Sequence, residues 1–333
     1  MFPLPLFAVN ETENSFFNNM FAGAFFTLTT TSENLRNEYH SKDPIKVLIV
    51  PGHDDTDWGT SFRGIKEADL TLETAKELES FFKSNQEFSA TLLRDKNGYN
   101  KNFVEYLERE RSSIAIFIDQ KKRTTESFIK SGVLQIEEVP FHNEVTGETA
   151  FRLYAVNTWA TRENFDLVLH LHFNDYPRRY RSTPGEYSGF TVYVPDQRFG
   201  NGTASKEVGE AIFSELRSHY PPSDLPKEIG GLVEDHELIA LGANNTLEKA
   251  SVLIEYSYIY EPYFTTNFRS AHLKEMAYQT YRGVLRFFDV TQLSKFSETT
   301  LLPFIWRETF TADGTKKKDI LALQVALLLD GLY

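Results

Sequence analysis

Three continuous apolar runs constrain this chain more than any other feature: IKVLIV (45–50), FDLVLHLHF (165–173) and ASVLIEYSYI (250–259). A strand with one wet face alternates apolar and polar residues, whereas a strand covered on both faces stays apolar throughout. Such runs are the central strands of a parallel sheet with helices on either side. The first ends in Pro51-Gly52, a turn signal. The stretch EADLTLETAKELESFFK places Leu70, Ala75, Leu78 and Phe81/Phe82 at three-and-four spacing, which predicts a helix with one apolar stripe. Helical patterns return in FVEYLERERSSIAIFI (103–118), TAFRLYAVNTWATREN (149–164), ASKEVGEAIFSELRSHY (204–220) and HLKEMAYQTYRGVLRFF (272–288). SATLLR (89–94), VLQIEEV (133–139), SGFTVYV (188–194) and HELIAL (236–241) read as further strands. Strands alternating with helices predict an α/β fold, a twisted, largely parallel sheet flanked by helices.

The 333 residues allow one large domain or two modest ones. Residues 44–290 are expected to form a single catalytic domain, with 1–43 as an N-terminal extension that includes an apolar segment, FAGAFFTL. The charged stretch 100–147 is a candidate insertion. After Phe288 the composition turns polar, so 291–333 is expected to be a linker ending in the helical pattern DILALQVALLLDGLY, with Ile320, Leu323, Ala326 and Leu327 on one stripe. Lys+Arg 35 against Asp+Glu 47 leaves a net charge of −12, which disfavours nucleic acid, since binding there comes from cations that neutralise phosphates. With no cysteine, thiol chemistry, disulfides and Cys-held metals are excluded. Any metal must rest on His and carboxylates. No apolar stretch is long enough to span a bilayer. The opening MFPLPLFAVNETENS resembles the tail of a secretory signal without its basic leading region, with Ala8 as a cleavage point, which points to an extracytoplasmic location; a loose apolar terminus is the alternative.

Four segments sit where a strand ends or a helix begins, and each offers a metal ligand or an acid-base group. They are PGHDDTDWGT with His53, RGIKEADL with Glu67, LHLHFND with His172 and LIEYSYIYEP with Glu255. The carboxyl ends of parallel strands share one edge, so residues distant in sequence meet there. Two imidazoles and a carboxylate suit zinc, leaving a fourth position for a water whose pKa falls toward about 7. Glu255 would take that water's proton and deliver it to a leaving nitrogen. The chemistry indicated is amide hydrolysis.

In this order, the segments resemble the zinc-dependent N-acetylmuramoyl-L-alanine amidases of bacterial cell walls, over roughly 45–288. The resemblance implies zinc ligands at His53, Glu67 and His172, a catalytic Glu255, and peptidoglycan as substrate. The match at HFN (172–174) favours His172 over His170; strand alternation puts both on one face, about 7 Å apart. Arg152 and Asn157 match the helix leading into the second His strand, and SGFTVYV matches the strand after it. Two departures leave substrate contacts open: Asp54-Asp55 follows His53 where the family commonly has Gly and a small or polar residue, and YSYIYEP follows Glu255. The terminal helical pattern resembles the opening helix of small peptidoglycan-binding domains, so a wall-binding module is expected beyond Tyr333.

Taken singly, each residue has a structural reading: His53 as a loop histidine, Glu67 as a favourable charge at a helix start, His172 as a hydrogen-bonded core histidine. Glu255 is the most informative, because a carboxylate inside SVLIEY is costly to bury without a partner. Asp54, Asp55, Asp57 and Asp175 would orient ligands or serve as solvated loop charges. Tyr256, Tyr258, Tyr260, Tyr263 and Phe264 would line a binding wall or fill the core. Two other functions stay open: a related zinc amidohydrolase acting on another peptide or acyl amino acid, and a catalytically silent wall-binding protein.

Overall fold

The structure is a computed structural model that describes residues 30–41, 43–132, 145, 147–175, 180, 182–242, 247–296, 299–302, 320 and 323–324. In chain order the elements are α1 (Ser32–Tyr39), β1 (Ile45–Pro51), β2 (Ser61–Phe62), β3 (Ile65–Lys66), α2 (Glu67–Lys83), β4 (Phe88–Leu92), β5 (Arg94–Asp95), β6 (Gly98–Tyr99) and α3 (Lys101–Lys130). Then come α4 (Gly147–Arg162), β7 (Leu167–Asn174), β8 (Thr191–Pro195), α5 (Gly202–Leu216), β9 (Leu232–Asp235), β10 (Ala250–Tyr258) and α6 (Arg269–Asp289).

Six strands form one sheet in the order β4-β1-β7-β10-β8-β9. β4, β1, β7 and β10 run parallel, while β8 pairs antiparallel with β10 and carries β9 parallel to itself. The three long apolar runs are the adjacent β1, β7 and β10. Their alternate residues feed two cores. Val47, Ile49, Leu169, Leu171, Val252 and Ile254 pack under α2, α5 and α6. Leu48, Val50 and Val168 meet Phe103, Tyr106 and Trp159 of α3 and α4 on the other face. A Cβ on Gly283 of α6 would stand 2.4 Å from Ile212 Cα of α5, so these two helices cross at a point that only glycine admits.

Described residues on either side of the expected catalytic domain pack onto it. Leu35 and Tyr39 of α1 join the larger core. Buried Glu275 of α6 accepts hydrogen bonds from the Thr300 hydroxyl at 2.7 Å and the Leu301 N–H at 2.6 Å, tying down the chain after α6.

HELIAL is not a strand. The strand is Leu232–Asp235, and Ile239–Leu241 is a 3₁₀ turn. The Asp235 carboxylate accepts from the N–H groups of Glu237 and Leu238 and turns the chain out of the sheet. Asn157 on α4 then donates to the Ile239 carbonyl at 2.6 Å, so the apolar residues serve as a docked turn. SATLLR ends as a strand at Leu92, and Arg94 begins a short hairpin paired with Tyr99. FAGAFFTL, VLQIEEV and all of DILALQVALLLDGLY except Ile320, Leu323 and Gln324 lie outside the described residues.

Candidate metal centre

The loop after β1, the start of α2 and the end of β7 meet at the carboxyl edge of the sheet. His53 follows β1 by two residues and has φ 60, the left-handed region that non-glycine residues seldom adopt. Glu67 is the first residue of α2, placed by the β2–β3 hairpin. His172 stands near the end of β7. Their ligand atoms all lie within 4.8 Å of one another.

Glu67 is the hinge of the group and is only 4% exposed. Its Oε1 lies 3.1 Å from His172 Nδ1 and accepts from the Phe173 N–H. Oε2 lies 3.3 Å from His53 Nε2 and accepts from the Thr60 N–H. Burial works to raise the pKa of this carboxyl. It is outweighed by His53, His172 and the Thr60 N–H, so the group is held below the usual carboxylate range. Glu67 is thus a buried anion facing two imidazole nitrogens. One carboxylate oxygen faces each imidazole nitrogen, at 3.1 and 3.3 Å, so donors of all three residues point into one small space. The donor set fits a divalent metal, and zinc in particular matches a site of two His and one Glu.

Two glycines make room for this cluster. A Cβ on Gly52 would stand 2.3 Å from the His172 ring, and one on Gly59, at φ +69, would stand 2.3 Å from Glu67 Oε2. Gly59 has no local signal for this role; its neighbours come from the far end of its own loop.

Glu255 lies on β10 in register with His172 on β7, so its side chain leaves the sheet on the same face, one strand spacing away. Its Oε2 is buried without a hydrogen-bond partner. Burial, then the charges of Glu67 and Glu228, push its carboxyl well above the usual range. Glu228, itself buried, was not singled out by sequence, because its setting depends on distant partners. It accepts from Asn174, Thr191 and Tyr193, the last at 2.5 Å.

His170 faces the same side as His172 but lies two residues deeper in the strand and is fully buried. It is absent from the cluster that gathers His53, Glu67 and His172. Asp54 turns its carboxylate away from His53: Oδ1 accepts from the Thr56 and Asp57 N–H groups, and Oδ2 takes the Tyr99 hydroxyl and Arg152. Arg152 therefore braces the loop. Asp57 approaches His53 Nδ1 at 3.7 Å, and Asp175 accepts from the Thr60 hydroxyl. Tyr256, Tyr258, Tyr260 and Phe264 are buried core residues rather than an open wall.

The sequence profile described as N-acetylmuramoyl-L-alanine amidase matches residues 47–286, a span holding all four residues of this site. The chain belongs to this family. It is an N-acetylmuramoyl-L-alanine amidase, a cell-wall hydrolase of the amide between N-acetylmuramic acid and L-alanine in peptidoglycan. No curated protein gives a significant match. Among solved structures, the chain is similar to an N-acetylmuramoyl-L-alanine amidase from Clostridium difficile 630, at 16% identity and TM-score 0.47, covering 75% of this chain and 99% of that one. It is also similar to the amidase AmiC2 of Nostoc punctiforme, at 17% identity and TM-score 0.45, covering 74% and 98%. A third is Ami1 from Mycobacterium smegmatis, at 14% identity and TM-score 0.47, covering 73% and 96%. The assignment of the amidase rests on the profile match. Among the described residues, no helix is long and apolar enough to cross a membrane.

Proposed function

We propose that His53, Glu67 and His172 hold a zinc ion and that Glu255 is the catalytic acid-base residue of this amidase. The convergence of the three donor groups around the buried Glu67 carries the reading. Zinc, when bound, supplies a Lewis acid for the scissile carbonyl and lowers the pKa of water toward about 7. The residues of the chain supply the rest. Glu67 contributes a negative charge already fixed by two backbone N–H groups, so it needs little reorganisation to act as a ligand. Glu255 Oε2, buried and unpartnered, is available to accept a proton from water and to return it to the nitrogen of L-alanine as the amide breaks. Burial, then the charges of Glu67 and Glu228, favour its protonated form, the form that delivers a proton to the leaving nitrogen.

The substrate is the amide between the lactyl group of N-acetylmuramic acid and L-alanine, which places the enzyme outside the cytoplasm, in the periplasm, in the wall or secreted. Residues 44–290 form the catalytic unit, to whose core the 100–147 stretch contributes Phe103 and Tyr106, and 291–333 leads toward a wall-binding module. Glu255→Gln tests the assignment. The variant should bind zinc stoichiometrically, as wild type does, and release stem peptides from purified sacculi at least about 100-fold more slowly. A metal-free wild-type enzyme with full activity would end the zinc reading, and an active Glu255→Gln would end the role of Glu255.

A further inference from the structure

Arg94 is a buried cation with no carboxylate partner, 5% exposed and forming no ion pair among the described residues. Such a group is expensive to keep out of water unless its donors are well used. Its bonds run to an unusual set of acceptors. Nη2 donates to the Gly52 carbonyl at 3.0 Å, the Ala68 carbonyl at 2.9 Å and the Thr71 hydroxyl oxygen at 3.1 Å, and Nε donates to the Pro51 carbonyl at 3.3 Å. Thr71 completes the set by donating its own hydroxyl to the Gly52 carbonyl at 2.8 Å.

Pro51 and Gly52 immediately precede His53, and Ala68 immediately follows Glu67. The guanidinium therefore joins the two segments that carry these residues, one leaving β1 and the other opening α2. Thr71 lies between the same two segments, its hydroxyl 2.8 Å from the Gly52 carbonyl and 3.2 Å from the Ala68 carbonyl, so Arg94 and Thr71 hold them together. Three of these acceptors surround Nη2 and the fourth is held by Nε; lysine has a single donor nitrogen on a shorter stem, so it cannot keep the Pro51 contact together with the other three. The same carbonyl of Gly52 is adjacent to the point where a Cβ would strike His172, so a shift of this backbone reaches both histidines.

We infer that Arg94 is a positioning residue that sets the separation of His53 and Glu67 before metal arrives, and so tunes zinc affinity. The inference rests on the proposed zinc site. Preorganised ligands lose less order on binding, and residues that orient metal ligands typically contribute about 10- to 100-fold in affinity.

The experiment measures zinc dissociation constants by competition with a chromophoric chelator on the folded full chain, alongside the melting temperature of the metal-free protein. Arg94→Lys should weaken zinc binding about 10-fold or more, Arg94→Met further, and Thr71→Val, which keeps shape but loses the hydroxyl, by several-fold. A purely structural arginine would behave differently. Its loss would lower the metal-free melting temperature but leave the dissociation constant of the folded protein unchanged, because destabilisation shared by both states cancels from binding. Should Arg94→Met fail to fold, Arg94→Lys and Thr71→Val decide the matter. Wild-type zinc affinity in the folded variants overturns the inference while leaving the zinc site intact. Absence of zinc binding in wild type, with His53→Ala indistinguishable from it, overturns the site and the inference together.

Discussion

His170 should make this protein sensitive to acid. It sits on β7 between Val50 of β1 and Leu253 of β10, both apolar, and its ring is sealed from water. Burial, helped by nearby His172, pushes its pKa from 6.5 down to about 3. In the unfolded chain the same ring takes up a proton as pH falls through about 6.5, while in the folded chain it stays neutral until about 3. Between those values the unfolded state binds one more proton, so stability falls as pH falls, with a slope approaching about 1.4 kcal/mol per pH unit. At pH 5 the loss amounts to about 2 kcal/mol, and at pH 7.5 it is nearly nil. His170→Phe keeps a ring and removes the titration. Urea denaturation at pH 7.5 and pH 5, with zinc chelated, would measure both proteins. The rest of the chain is the same in both, so the difference between them reports His170. Wild type should lose about 2 kcal/mol more than the variant across that interval. Parallel pH dependences would show that His170 ionises freely in the folded state, and the argument from its burial would fail.

Gly52→Ala should push a methyl group into the His172 ring; zinc affinity should drop at least about 10-fold by chelator competition, with a folded circular dichroism spectrum retained. Gly283→Ala should force α5 and α6 apart and cost about 1–3 kcal/mol in chemical denaturation, while the zinc dissociation constant stays as in wild type. Chelation of wild type should abolish peptide release from sacculi, restored by stoichiometric zinc, and should lower the melting temperature in proportion to the binding free energy removed.

The parts of this molecule that were legible in its sequence are those whose signal is local. β1, β7 and β10 announce themselves because burial on both faces leaves little room for polar residues, and Glu255 stands out as a charge in the middle of such a run, whereas Lys46 and Asp166 stand at the edges of theirs. HELIAL shows where that logic stops. Its apolar spacing suits a strand or a docked turn equally, and the choice is made by the Asp235 cap and by Asn157, a helix residue 82 positions away from Ile239. Alternation likewise places His170 and His172 on one face without separating them. Depth along the strand separates them: the cluster forms at the carboxyl edge, where the loop after β1 can reach the later residue, while the earlier one is enclosed by neighbouring strands. The roles of Gly59 and Arg94 were invisible for a related reason. A missing Cβ becomes informative only when Glu67 is packed against it, and a lone arginine only when the carbonyls of two ligand segments converge on it. The residues able to hold a metal can thus be read from residue type and strand position, whereas the residues that fix the distance between them emerge from contacts that the folded chain alone creates.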